Sequence, residues 1–132
     1  MKTSDLEEKL NTPGAFDNEM VENNPPPELP DILTQYIDEK NMTKSEVIRI
    51  LNVARNYGYQ ILNGTRPITR NILLQISLIL KLDIDQINYL LRLAEKPQLY
   101  VRNIVDARVF YAVKHNMGYY EALDFIWGKS IV

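Results

Sequence analysis

MTKSEVIRILNVARNYGYQILNGTRPITRNILLQISLILKL, residues 42–82, is the stretch whose reading decides the fold. Thr43 followed by Glu46 spells a capping box, in which each side chain closes an orphan amide at the start of a helix. That helix turns Val47, Ile48 and Leu51 inward. After a tight connection the spacing predicts a second short helix over Ala54–Leu62, burying Val53 and Ile61. Asn63-Gly64 closes it, because Gly64 can take the left-handed conformation that ends a helix. Thr69 then caps a longer amphipathic helix whose apolar face is Ile72, Leu73, Ile76, Ile79 and Leu80.

Charge sharpens the reading. Residues 42–70 carry Lys44, Arg49, Arg55, Arg66 and Arg70 against Glu46 alone, a net of +4 in a chain of net −2. Residues 1–41 carry −7 and residues 71–132 carry +1. Positive charge gathered on one segment matters more for nucleic-acid binding than the whole-chain value. Two short helices joined by a turn form a unit whose second helix can lie in a DNA major groove.

Upstream, residues 1–27 read as a mobile acidic arm ending in Pro25-Pro26-Pro27, a stiff run that cannot join a helix. A short helix near Leu6–Leu10 lacks the length to stand alone. From Glu28 the pattern changes. Pro30 suits a first helical turn, and Ile32, Leu33, Tyr36 and Ile37 recur on one face. Downstream, Asp83 with Gln86 caps a helix carrying Ile87, Leu90 and Leu91. The expected organisation is an arm (1–27), a five-helix domain (28–95) and a helical extension (96–132), all-α throughout.

The extension holds a partial echo of the domain. Residues 36–51 align without gaps onto residues 111–126, an offset of 75, with the Tyr, the Asn-Met pair and the Glu identical. Val47, Ile48 and Leu51 become Ala122, Leu123 and Ile126. Chance likeness between two helix pairs is one reading. The other is a degenerate half-repeat that packs beside the first copy or builds a dimer surface.

Several chemistries find no support. Cysteine is absent, which removes disulfides, thiol nucleophiles and thiolate metal sites. His115, the sole histidine, has no ligand partners at metal spacing. Glu7-Glu8 and the pair Asp83 and Asp85 read as a solvated arm and a helix cap. No cofactor and no enzymatic activity are expected. The acidic start is no secretory signal, and no apolar run nears the roughly 20 residues that span a bilayer, so a cytoplasmic protein is expected.

Residues 42–91 resemble the Cro/lambda-repressor-like helix-turn-helix family, also called the XRE family. The likeness is carried by Met42, Glu46, Val47, Val53, Ile61, Asn63-Gly64, Arg66, Leu73, Leu74, Ile76 and the run Leu82 to Asp85. It implies a five-helix repressor-type bundle with a C-terminal two-helix extension, and sequence-specific regulation of transcription on double-stranded DNA as a homodimer. By transfer, Arg55, Asn56, Tyr59 and Gln60 face the bases, and Thr43, Lys44, Asn63, Thr65 and Arg66 hold phosphates. Arg reads guanine, and Asn or Gln reads adenine, through paired hydrogen bonds. Two positions depart from the family. Gly58 stands where an aliphatic plug is usual, so a small gap is expected that Tyr57, Tyr59 or the sixth helix would fill. Leu62 replaces an acid. A second reading is a protein-interaction adaptor that keeps the fold and docks a partner through Tyr89, Tyr100, Tyr111, Tyr119 and Tyr120.

Overall fold

The computed structural model describes residues 2–11, 13, 14, 16, 18–23 and 25–128. Among them every regular element is a helix. The elements are α1 (Thr3–Asn11), α2 (Asn18–Glu22), α3 (Leu29–Glu39), α4 (Lys44–Leu51), α5 (Arg55–Asn63), α6 (Arg70–Ile79), α7 (Ile84–Leu93), α8 (Ile104–Lys114) and α9 (Tyr119–Trp127). Neither α1 nor α2 buries a residue.

Local chemistry sets the boundaries. The Thr43–Glu46 capping box opens α4, Thr69 caps α6 by accepting from the Ile72 amide, and a second box joins Asp83 and Gln86 at α7. These are the caps expected from sequence. Asn103 adds another at α8 by accepting from the Asp106 amide.

Three helix pairs turn the same corner. Asn41, Lys81 and Asn116 each sit in the left-handed region, with φ of 56°, 55° and 51°. In each the next amide, of Met42, Leu82 or Met117, reaches back to the carbonyl of Ile37, Ser77 or Ala112 at 3.0–3.1 Å. That bond satisfies a carbonyl the ending helix would leave orphaned, and the apolar side chain plugs the angle. α3 and α8 begin 75 residues apart, as do α4 and α9, matching the aligned segments. The corner at Lys81 lacks their sequence likeness, so one left-handed residue followed by an apolar plug suffices to make it.

α6 is the axis of the fold. Every residue from Ile72 to Ile79 is buried, including Gln75 and Ser77. Sequence periodicity gave this helix one apolar face, but α4 and α7 cover one side while α9 covers another. Val109, Ala112, Ala122 and Ile126 of the extension thereby join a single core with Leu33, Ile37, Val47 and Leu90. Ser77 meets its burial by donating to the Leu73 carbonyl at 2.8 Å. Gln75 is less well served. Its Oε1 lies 3.5 Å from the Tyr119 hydroxyl, whose burial pushes the phenol up to about 12, and its Nε2 has no partner among the described residues.

The gap expected at Gly58 does not exist. Gly58 is buried, and a Cβ built on it would stand 2.6 Å from Ile48 Cγ2 and 2.7 Å from Cγ1. Neither Tyr57 nor Tyr59 fills the space. Ile48 does, from α4, and the missing side chain is what lets the two short helices approach this closely. Leu62 is equally a core residue, 1% exposed, which accounts for an aliphatic side chain there.

Arg70 and Asp106 fasten the extension to the rest. The guanidinium meets the carboxylate in two parallel bonds of 2.7 and 2.9 Å, while its Nε donates to the Pro97 carbonyl at 3.1 Å. The Tyr100 amide donates to the same carboxylate at 2.9 Å. Burial alone pushes the Asp106 carboxyl up. The Arg70 and Tyr100 hydrogen bonds and the Arg70 charge outweigh it and hold the group below the ordinary carboxylate range.

Candidate nucleic-acid interface

α5 is short because both ends are closed by special backbone. Asn52, left-handed at φ 63°, ends α4 and aims the chain into the tight turn before α5. Gly64, at φ 81°, ends α5 and gives its amide to the Gln60 carbonyl. Glycine is required there twice over, since a Cβ would also meet Pro30 Cγ at 2.8 Å.

Between these stops, Gly58, Ile61 and Leu62 face the core. The opposite stripe carries Arg55, Asn56, Gln60 and Asn63, all exposed, with Tyr59 half-buried among them. Their spacing of three and four residues puts them on one side of the helix. The Arg55 guanidinium lies over the Tyr59 ring at 5.8 Å, which orders the arginine without using its hydrogen-bond donors. No acidic residue lies in α5.

Lys44, from the first turn of α4, donates to Asn63 Oδ1 at 2.9 Å across the helix pair. Two residues expected at phosphates are thus brought together from separate helices. The bond takes one of three ammonium donors and occupies the Asn63 carbonyl oxygen, not its NH2. Arg66 lies over the Tyr57 ring at 5.5 Å, just beyond the end of α5.

Thr43 and Thr65 are differently employed. Thr43 accepts from the Glu46 amide and donates to the Glu46 carboxylate, each at 3.1 Å. Thr65 donates to the Gln60 carbonyl at 3.3 Å. Both hydroxyls serve the fold. Arg70, counted in the +4 segment, is committed to Asp106, and Arg49 lies in a groove with Asp124 and Tyr120. The charge facing outward near α5 therefore rests on Lys44, Arg55 and Arg66.

One cation escaped sequence reading. Lys96 shares a groove with Asn63 and Arg66, formed where the start of α3, the end of α5 and the end of α7 meet. Thirty positions separate Lys96 from Arg66, so only the tertiary fold joins them.

Elsewhere, Tyr111 stacks on His115 with ring centres 3.9 Å apart and lies 5.5 Å from the Phe125 ring. Val101, Ile104, Tyr111, Tyr120 and Phe125 are exposed on the extension, as is Tyr100, whereas Tyr89 and Tyr119 are half-buried. No group of three or more His, Asp or Glu among the described residues could hold a metal ion. No described helix is long and apolar enough to cross a membrane. No family model, curated protein or solved structure matches this chain.

Proposed function

We propose that the chain is a sequence-specific DNA-binding regulator, with α3–α7 as a five-helix unit of the Cro/lambda-repressor type and α5 as its reading helix. The observation that carries the reading is one surface. Arg55, Asn56 and Gln60 stand exposed on an acid-free stripe, flanked by a Lys44–Asn63 pair and by Arg66. Arg55 presents a bidentate fork to guanine, and Asn56 and Gln60 present paired groups to adenine. Lys44, the Asn63 amide and Arg66 set register on the backbone and carry no base preference. Two copies acting as a homodimer would read half-sites about one helical turn apart.

Paired substitutions separate the roles. Arg55→Ala should cost about 1–3 kcal/mol on preferred sequences and little on others. Lys44→Ala should weaken all duplexes alike and lower the salt slope by about one unit. Equal losses on every sequence for both variants would remove α5 as the reading helix.

A protein-interaction role is favoured by one specific observation, the exposed Val101, Ile104, Tyr111 and Phe125 on the extension. Under that reading α5 would be a solvated face, and neither substitution would alter binding to any duplex.

A further inference from the structure

The groove shared by Asn63, Arg66 and Lys96 presents two cations, and the chain carries an acidic segment on a short tether beside it. Its lining is mixed, with Pro30, Pro67 and Leu93 beside the cations Arg66 and Lys96 and with Glu28 also present. Pro27, the last residue of the proline run, is itself part of the wall. Upstream of that run lies α2, Asn-Glu-Met-Val-Glu, with Glu19 and Glu22 exposed. Residues 1–27 hold two Lys against six Asp and Glu, a net of −4.

We infer that α2 docks in this groove through Glu19 and Glu22, which share one helix face at i,i+3, setting both toward Arg66 and Lys96. Two observations converge on this occupant. The charges are complementary, Arg66 and Lys96 against Glu19 and Glu22. The tether also ends at the site, since five residues from Glu22 to Pro27 span at most about 17 Å. Contacts between exposed charges are screened by salt, so docking is favoured at low ionic strength, and the short tether keeps α2 near the groove. The consequence for DNA rests on the proposed function: a seated α2 puts two carboxylates beside Arg66 and Asn63, where phosphates would lie.

The absence of native cysteine makes a clean test. A nitroxide is placed on the full chain at Asn18→Cys, and amide broadening is read at Asn63, Arg66 and Lys96. Broadening at 0.01 M salt that fades at 0.5 M salt, and that is lost in Glu19→Gln/Glu22→Gln, is the expected result. Broadening that ignores both salt and substitution reports tether proximity alone and overturns the proposal. So does broadening confined to α8, or transfer from a labelled chain to an isotope-labelled unlabelled one, which would mean the arm of a second copy. Random-sequence duplex supplies an independent readout, on which Glu19→Gln/Glu22→Gln should bind about threefold tighter at low salt and equally at high salt. Docking without any duplex binding by either form would keep α2 as the occupant and remove the DNA reading instead. Docking with superimposable salt titrations would overturn the competition.

Discussion

Asp106→Asn should destabilise the protein by about 3 kcal/mol, lowering its thermal midpoint by on the order of 10 °C. The carboxylate is 3% exposed and accepts two bonds from Arg70 and one from the Tyr100 amide. Removing its charge leaves the guanidinium, only a quarter exposed, facing carbonyls and an uncharged amide. Breaking one side of a buried pair costs about 3–5 kcal/mol, and Arg70's partial access to water places this pair at the lower end. The pH dependence has a definite sign. A carboxyl held below its unfolded value of about 3.9 contributes stability that is fully present above that pH. The contribution is lost as pH falls through the lower folded value. Wild-type stability should thus fall in acid more steeply than that of Asp106→Asn, and the two curves should converge. Hydrogen exchange gives a spatial check, because the loop before α8 and the α8–α9 pair should lose protection ahead of α3–α5. Parallel acid curves for the two proteins would mean that Asp106 is not the titrating link.

Gly58→Ala should cost up to about 2 kcal/mol, against the usual gain from replacing a helical glycine. A methyl group there would overlap Ile48 Cγ1 and Cγ2, which are both bonded to a branched Cβ with one strongly preferred rotamer. The side chain cannot swing clear, so α4 and α5 must part. Overpacking of this kind costs about 1–3 kcal/mol, offset by about 1 kcal/mol of helix propensity. The decisive comparison is the same substitution made in Ile48→Ala, where the overlap is gone. There Gly58→Ala should be neutral or stabilising by up to about 1 kcal/mol, a coupling that chemical denaturation resolves. Equal effects in both backgrounds would show that Ile48 does not set the spacing. Because α5 is positioned through this contact, Gly58→Ala should also weaken whatever α5 binds.

Local chemistry was the most legible part of this fold. Thr43 with Glu46, Thr69, and Asp83 with Gln86 announced three helix starts because a cap acts within four residues of itself. Val47, Ile48, Leu51, Ile61 and Leu90 were readable as inward because helical spacing is a local signal too. The less legible features all depend on distant partners. Gln75 and Ser77 disguised the full burial of α6, since the α8–α9 pair covers that side, Tyr119 at Gln75 and Ala112 and Met117 by Ser77. Arg70 read as one more surface cation, and nothing near it in sequence pointed to Asp106, 36 positions on. Gly58 read as a void because its plug comes from another helix. At the candidate site the exposed stripe of α5 was legible from periodicity, whereas the Lys44–Asn63 bond and the approach of Lys96 needed the tertiary fold. Thr43 and Thr65 were legible as polar groups flanking the helix pair, but not as donors to Glu46 and Gln60.

The most direct test of α5 as a DNA-reading helix is selection of the full chain against a pool of random duplexes at low salt, run beside Arg55→Ala. Enrichment of one motif by the wild type, with preference at a guanine relaxed in the variant, is the predicted result. A wild-type pool that stays random, or one whose motif survives Arg55→Ala, Asn56→Ala and Gln60→Ala unchanged, would contradict it.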